Sequence, residues 1–257
     1  MKSFRYSYES TARFSQTVHS HSFLLRAIPF DDEAQVVHEA AVRITSGDCR
    51  LSESRDIWGS ELRYGILMDP HSEFSYMSSG TVTVTGKKRR DPSVSPLYLV
   101  PSSLADYIPE MAPLLRGGTP MESAMDMAKA VKEALVYAPG STGTATKASE
   151  AFLQHKGVCQ DFSHVLIALC RRKGIPARYV CGFFEGEGET HAWTEIWSDG
   201  EWTGLDPTAG EICDDRYIAI ARGRDAADCP VNRGVFTGSV MQTTATMVKV
   251  KPIEEQW

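Results

Sequence analysis

The dipeptide Asp199-Gly200 constrains this chain more than any other feature. It lies between His191-Ala192-Trp193-Thr194-Glu195-Ile196-Trp197 and Glu201-Trp202-Thr203-Gly204-Leu205-Asp206-Pro207. Asp-Gly between two runs rich in aromatic and β-branched residues reads as a two-residue β-hairpin turn. With that loop, Ser198 faces Glu201, Trp197 faces Trp202, Glu195 faces Gly204 and Trp193 faces Asp206. Side chains alternate along a strand, so His191, Trp193, Glu195 and Trp197 share a face with Trp202, Gly204, Asp206 and Thr208. His191 and Asp206 become diagonal neighbours whose side chains can meet, unless a bulge shifts the register by one. An imidazole steadied by a carboxylate keeps one tautomer, takes a proton from a nucleophile and returns it to a leaving amine.

A matching nucleophile stands upstream, in Gly157-Val158-Cys159-Gln160-Asp161-Phe162-Ser163-His164. Phe162, Val165, Leu166, Leu169 and Cys170 recur with helical spacing, and Gly174 with Pro176 ends the run, so Cys159 falls at the first turn of a helix. A free thiol, with a pKa near ~8.5, is only slightly ionised at neutral pH, whereas unpaired N–H groups at a helix start favour the anion. That position singles Cys159 out among the six cysteines. Cys170 and Cys181 fall on apolar surfaces and read as core. Asp161 reads as a carboxylate serving the helix N-terminus, and His164 as exposed or packed on a neighbouring unit.

Up to about residue 92 the pattern is that of strands, at Phe4–Glu9, Ser22–Pro29, Gln35–Thr45, Glu61–Leu67 and Thr81–Thr85. Helices are then expected over Ser102–Leu115, Thr119–Tyr137 and Lys147–His155. Strands return at Ala177–Phe184, Thr190–Ser198, Glu201–Asp206, Tyr217–Ala221 and Thr244–Val250. Helices followed by strands, without βαβ alternation, indicate an α+β domain with an antiparallel sheet. The division is placed at an N-terminal all-β, sandwich-like domain of residues 1–93 and a second domain of residues 94–257.

A net charge of −6 offers no case for nucleic acid or an anionic membrane, and Lys87-Lys88-Arg89-Arg90 reads as a solvated turn. No signal-peptide core or membrane-length apolar run is present, which makes a cytoplasmic location the expectation. The absence of Cys-x-x-Cys pairs argues against zinc ribbons and disulfide frameworks. His19 and His21 lack a third ligand and read as surface residues, so neither metal nor cofactor is expected.

The blocks around Cys159, His191 and Asp206, with Gly174-Ile175-Pro176-Ala177-Arg178 and Asp215-Arg216-Tyr217-Ile218, resemble the signature of the transglutaminase-like superfamily. The likeness is to its bacterial branch, often described as cysteine proteases. It implies a papain-like α+β catalytic domain in which Cys159 is the nucleophile, His191 the base and acid, and Asp206 the orienting carboxylate. The implied activity is a thiol-dependent amide hydrolase or acyl transferase acting on peptide or isopeptide (glutamine-type) amides through a Cys thioester. The alternatives are a protein-glutamine transglutaminase with an amine acceptor and a non-catalytic peptide-binding scaffold. The animal crosslinking members use a Trp upstream of the nucleophile as an oxyanion donor, but no Trp lies between Trp58 and Cys159. No acidic calcium loop is evident either. Hydrolysis is therefore favoured, with the Cys159 N–H and the Gln154 or Gln160 side chain as oxyanion candidates. Trp193 is expected to wall the cleft, and the acidic Glu185–Glu189 loop to rim it and disfavour acidic substrates. The expected partner is a peptide or protein amide substrate, with the oligomeric state left open.

Overall fold

The computed structural model of the chain describes residues 1–253. Phe4, Tyr6, Tyr8, Ala12, Phe14 and Val18 point inward along β1 (Lys2–Leu25). The sequence reading ended one strand at Glu9 and began another at Ser22. They form a single strand in which Ser10, Ala12 and Phe14 carry the inward alternation on, broken only at residues 15–17 and 19–20. Register shifts between Arg13 and Val18 and between His19 and Ser22, with Ser20 at φ 52°, bend it. Its first half pairs with β5 (His71–Val84) and its second with β4 (Glu61–Leu67). β2 (Gln35–Ile44) flanks β5, and β3 (Ser52–Arg55) flanks β4. This bent antiparallel sheet wraps an aromatic core that includes Phe14, Phe23, Phe74 and Tyr76.

Two strands from far along the chain complete the sheet. β15 (Asn232–Thr237) lies beside the second half of β1, and β16 (Gln242–Pro252) runs along the first half from Phe4↔Pro252 to Phe14↔Gln242. Val248 and Val250 of β16 are buried in the same core as Tyr6 and Tyr8. Residues 232–252, placed by sequence with the second domain, thus hydrogen-bond into the sheet of the first.

The helical segment follows its local signals. α1 (Pro120–Ala134) opens with a capping box: Thr119 Oγ1 accepts the Glu122 N–H at 3.3 Å, and Glu122 Oε2 accepts the Thr119 N–H at 2.9 Å. The helix expected over Ser102–Leu115 is absent. Only a 3₁₀ turn forms there, at Pro109–Leu114, because Pro109 and Pro113 each remove a donor. β7 (Val136–Tyr137) pairs in parallel with β8 (Lys156–Gly157), which follows α2 (Ala148–Gln154) and leads into α3 (Cys159–Arg172). α3 buries Phe162, Val165, Leu166, Leu169 and Cys170. Burial of each large apolar side chain contributes on the order of 2 kcal/mol, and Leu166→Ala would cost about 2–5 kcal/mol.

The second sheet is antiparallel. β13 (Glu211–Ile212), β12 (Glu201–Asp206), β11 (His191–Ser198), β9 (Ala177–Phe184) and β14 (Tyr217–Gly223) lie in that order. Arg89 and Arg90, expected in a turn, form β6 (Arg89–Arg90) on the edge of β12. α3 covers the face that carries Ala192, Thr194 and Ile196, and Thr194 Oγ1 donates to the Ser163 carbonyl at 3.2 Å. The two sheets share one core, with the Tyr6 and Tyr8 rings 5.5 and 5.6 Å from Phe183. Polar links add to it: Asp32 accepts from Arg222 at 2.7 Å, and the Gln35 amide bonds the main chain of Phe30 and Ala219. Among the described residues no helix is long and apolar enough to cross a membrane.

Candidate active site

Cys159 is a half-buried free thiol at the first position of α3. Asp161 shapes the approach to it: its Oδ2 accepts the Val158 N–H at 2.7 Å and the Thr142 hydroxyl at 2.6 Å. A Cβ on Gly157 would stand 2.6 Å from the Asp161 Cβ, so the chain can pass this close only as glycine. Burial pushes the Asp161 carboxyl up against those hydrogen bonds. The carboxylate serves the helix start, as its position in the sequence suggested.

The hairpin keeps the register set by its turn. Asp199 and Gly200 take φ 54° and 84°, the left-handed values a type I′ loop requires. Ser198↔Glu201, Trp197↔Trp202 and Glu195↔Gly204 follow. At its open end Asp206 Oδ2 accepts from His191 Nε2 at 2.7 Å, which leaves Nδ1 as the ring nitrogen free to face the thiol. The same Oδ2 accepts the Tyr217 hydroxyl at 2.9 Å, and Oδ1 accepts the Thr208 N–H at 2.8 Å. Burial alone would lower the His191 pKa. Asp206, through its hydrogen bond and charge, and the nearby Cys159 thiol together overcome burial and raise it to about 9. In the same way burial works to raise Asp206, but His191 chiefly holds it below the ordinary carboxylate value. Asp206 thus favours the protonated form of the ring.

Cys159, His191, Asp206 and Tyr217 all line one cavity of about 920 Å³. Tyr137 and Thr142 stand on one wall, and Glu187, Gly188 and Glu189 on another, so the acidic loop does rim the cleft. Of the oxyanion candidates, Cys159 and Gln160 border the cavity, with the Gln160 side chain donating to the Gly143 carbonyl at 3.4 Å. Gln154 is exposed at the end of α2 and lies outside the lining.

Trp193 does not wall the cleft. It is buried on the sheet face away from α3, with Phe30, Val180 and Tyr217, and meets His191 only from behind, at 6.3 Å between rings. The alternation does put it on the His191 face, but that face is covered by Phe30 from the β1–β2 connection. His164, read as exposed or packed on a neighbouring unit, is fully buried. Its Nε2 accepts the Ala226 N–H at 3.1 Å, and burial pushes it down to about 4. His21 is likewise no surface residue. It packs among Phe14, Phe74 and Phe236, and its Nδ1 is 3.2 Å from His71 Nε2. Among the described residues no group of three or more His, Cys, Asp or Glu is placed to hold a metal. Tyr137 is not singled out by the sequence, and Tyr217 enters only within the Asp215-Arg216-Tyr217-Ile218 block, with no role assigned to it. An aromatic at a strand end is the only local signal for either, and it does not distinguish them from core tyrosines.

A family model described as the transglutaminase-like superfamily matches residues 112–207, and one described as the bacterial transglutaminase-like N-terminal region matches residues 4–83. The chain belongs to the transglutaminase-like superfamily, with the N-terminal region of its bacterial branch. An uncharacterized protein of Mycobacterium tuberculosis is 32% identical over 244 residues, covering 79% of this chain and 78% of that protein. One from Mycobacterium leprae is 29% identical over 213 residues, covering 71% and 75%. The crystal structure of a "Putative Cysteine Protease" from Cytophaga hutchinsonii superposes with a TM-score of 0.80 at 21% identity, over 100% of this chain and 92% of that one. At that identity the likeness speaks for the fold.

Proposed function

We propose that this chain is a cytoplasmic thiol-dependent amide hydrolase acting on peptide or isopeptide amides of the glutamine type. The observation that carries this reading is the 2.7 Å bond between His191 and Asp206 in a cleft where the Cys159 thiol acts on the same ring. The Cys159 sulfur attacks the amide carbon, and the new S–C bond gives a tetrahedral oxyanion. Free N–H groups of the first turn of α3, that of Cys159 among them, are suited to receive the oxyanion. The C–N bond then breaks, and His191 gives its proton to the departing amine or ammonia. Water next attacks the thioester and loses a proton to His191. The S–C bond breaks, releasing the carboxylic acid and restoring the thiolate–imidazolium pair. Asp206 stays ionised throughout and fixes the ring. The family likeness supports this chemistry.

Incubation with glutamine peptides and a labelled primary amine tests the reading. Hydrolysis predicts release of ammonia or of a peptide fragment with little label incorporated, and Cys159→Ala should lower turnover by at least about a thousandfold. Incorporation of the amine would favour acyl transfer. No turnover, together with Cys159 alkylating no faster than the other thiols at pH 6, would leave a peptide-binding scaffold.

A further inference from the structure

β10 (Gly186–Gly188) belongs to the first sheet although its residues lie within the second sheet's β9–β11 connection. It pairs with β16 through Gly186↔Val250, Glu187↔Lys249 and Gly188↔Val248, and among the described residues it has no strand on its other side. In an antiparallel pair, alternate residues turn their N–H and C=O away from the partner, so β10 has an outer edge with free main-chain groups. No other backbone group among the described residues takes them up. Glu187 and Gly188 line the cavity that holds Cys159 and His191, so this edge borders the reacting thiol.

The edge is three residues long, with Gly186 at φ 117° and one charge at Glu187, so it offers a short template for strand addition. It holds neither proline nor bulge, and nothing lies within 4 Å of where a Cβ would stand on Gly186 or Gly188. It is also held in place from behind. Lys2 pairs with Glu185 at 2.6 Å, and the Glu185 N–H bonds the Arg216 carbonyl at 3.1 Å. Glu187 has Lys249 and Lys251 only at 3.9 and 4.0 Å, and Glu189 faces the cavity directly.

We propose that the substrate enters as an extended, lysine- or arginine-bearing polypeptide segment that adds a strand to the free edge of β10 and so presents its amide carbonyl to Cys159. This rests on reading Cys159 as the nucleophile. Main-chain hydrogen bonds supply affinity without demanding a sequence, and the glutamates select for cationic neighbours. A glutamine held in a folded helix or sheet has no free main chain to offer and is refused.

Two reagents aimed at Cys159 test this. One is iodoacetamide. The other is a set of acetylated heptapeptides in which the side-chain amide of a central glutamine is replaced by a chloromethyl ketone, and alkylation is followed by mass spectrometry. Lysine-flanked probes should react about tenfold faster than glutamate-flanked ones, and Glu189→Lys should reverse that preference. Single N-methylation of the probe backbone should slow the reaction about tenfold at alternate residues on one side of the electrophile and little at those between. A scan flat at every position, while iodoacetamide still labels Cys159 selectively, overturns strand addition and leaves the nucleophile standing. Equal rates for both flanking charges overturn the selection for basic segments. Failure of both reagents at Cys159 removes the nucleophile and this inference with it.

Discussion

His191 and His164 lie on either side of one sheet, and burial works against the charged form of both. His191 has a carboxylate 2.7 Å from one ring nitrogen and a thiol acting on it, and it keeps its proton up to about pH 9. His164, wholly enclosed, accepts a main-chain N–H and stays neutral down to about pH 4. Asp225 pulls it the other way, but burial is the larger effect there. One residue type thus has its charged form favoured at the cleft and its neutral, hydrogen-bond-accepting form favoured in the core. What separates the two is that a carboxylate bonds the His191 ring directly, with a thiol nearby, whereas Asp225 acts on His164 through charge alone.

Asp206→Asn breaks the contrast most severely. It leaves His191 with its burial but without the charge that offsets it. The ring pKa should fall from about 9 toward or below 6.5, read by ¹³C NMR of the imidazole. Amide turnover should fall by roughly two to four orders of magnitude, as expected when a triad loses its orienting charge. Tyr217→Phe is milder. It removes one of two donors to Asp206 Oδ2 and leaves more negative charge facing His191. A kcat loss of about tenfold with KM little changed is expected, along with an upward shift of the His191 titration. An unshifted titration would mean that Tyr217 only packs.

The remaining effect is on stability. The His191 pKa is raised, so its contribution is complete below pH 6.5 and is lost as the pH rises through about 9. The His164 pKa is lowered, so its contribution is complete above pH 6.5 and is lost as the pH falls toward about 4. Each amounts to on the order of 3 kcal/mol at most, placing maximum stability near neutrality. His164→Gln, which keeps an acceptor for the Ala226 N–H, should flatten the acid limb of denaturant midpoint against pH and leave the alkaline limb intact.

The meeting of His191 and Asp206 was legible because an Asp-Gly turn fixes a register, and a register fixes faces. The helix at Cys159 was legible from its apolar spacing and closing Gly-Ile-Pro. What lies above a sheet face was not legible. Trp193 fell on the predicted face, but only the fold shows that Phe30 covers it. The pairing of β16 with β1 joins residues more than two hundred positions apart, and no local pattern encodes it. His21 looked like a surface residue because the bend in β1, which turns His19 out and His21 in, arises from register shifts that composition does not announce.

The union of β16 with both β1 and β10 has a consequence for biosynthesis. A ribosome delivers the thiol, imidazole and carboxylate dozens of residues before it delivers Val248–Val250, against which β10 is laid. A nascent chain stalled at residue 240 would hold Cys159, His191 and Asp206 without the rail beside them, and the exposed flank of β1 would invite foreign strands. Synthesis of residues 242–252 therefore both completes this wall of the cleft and covers a flank of β1.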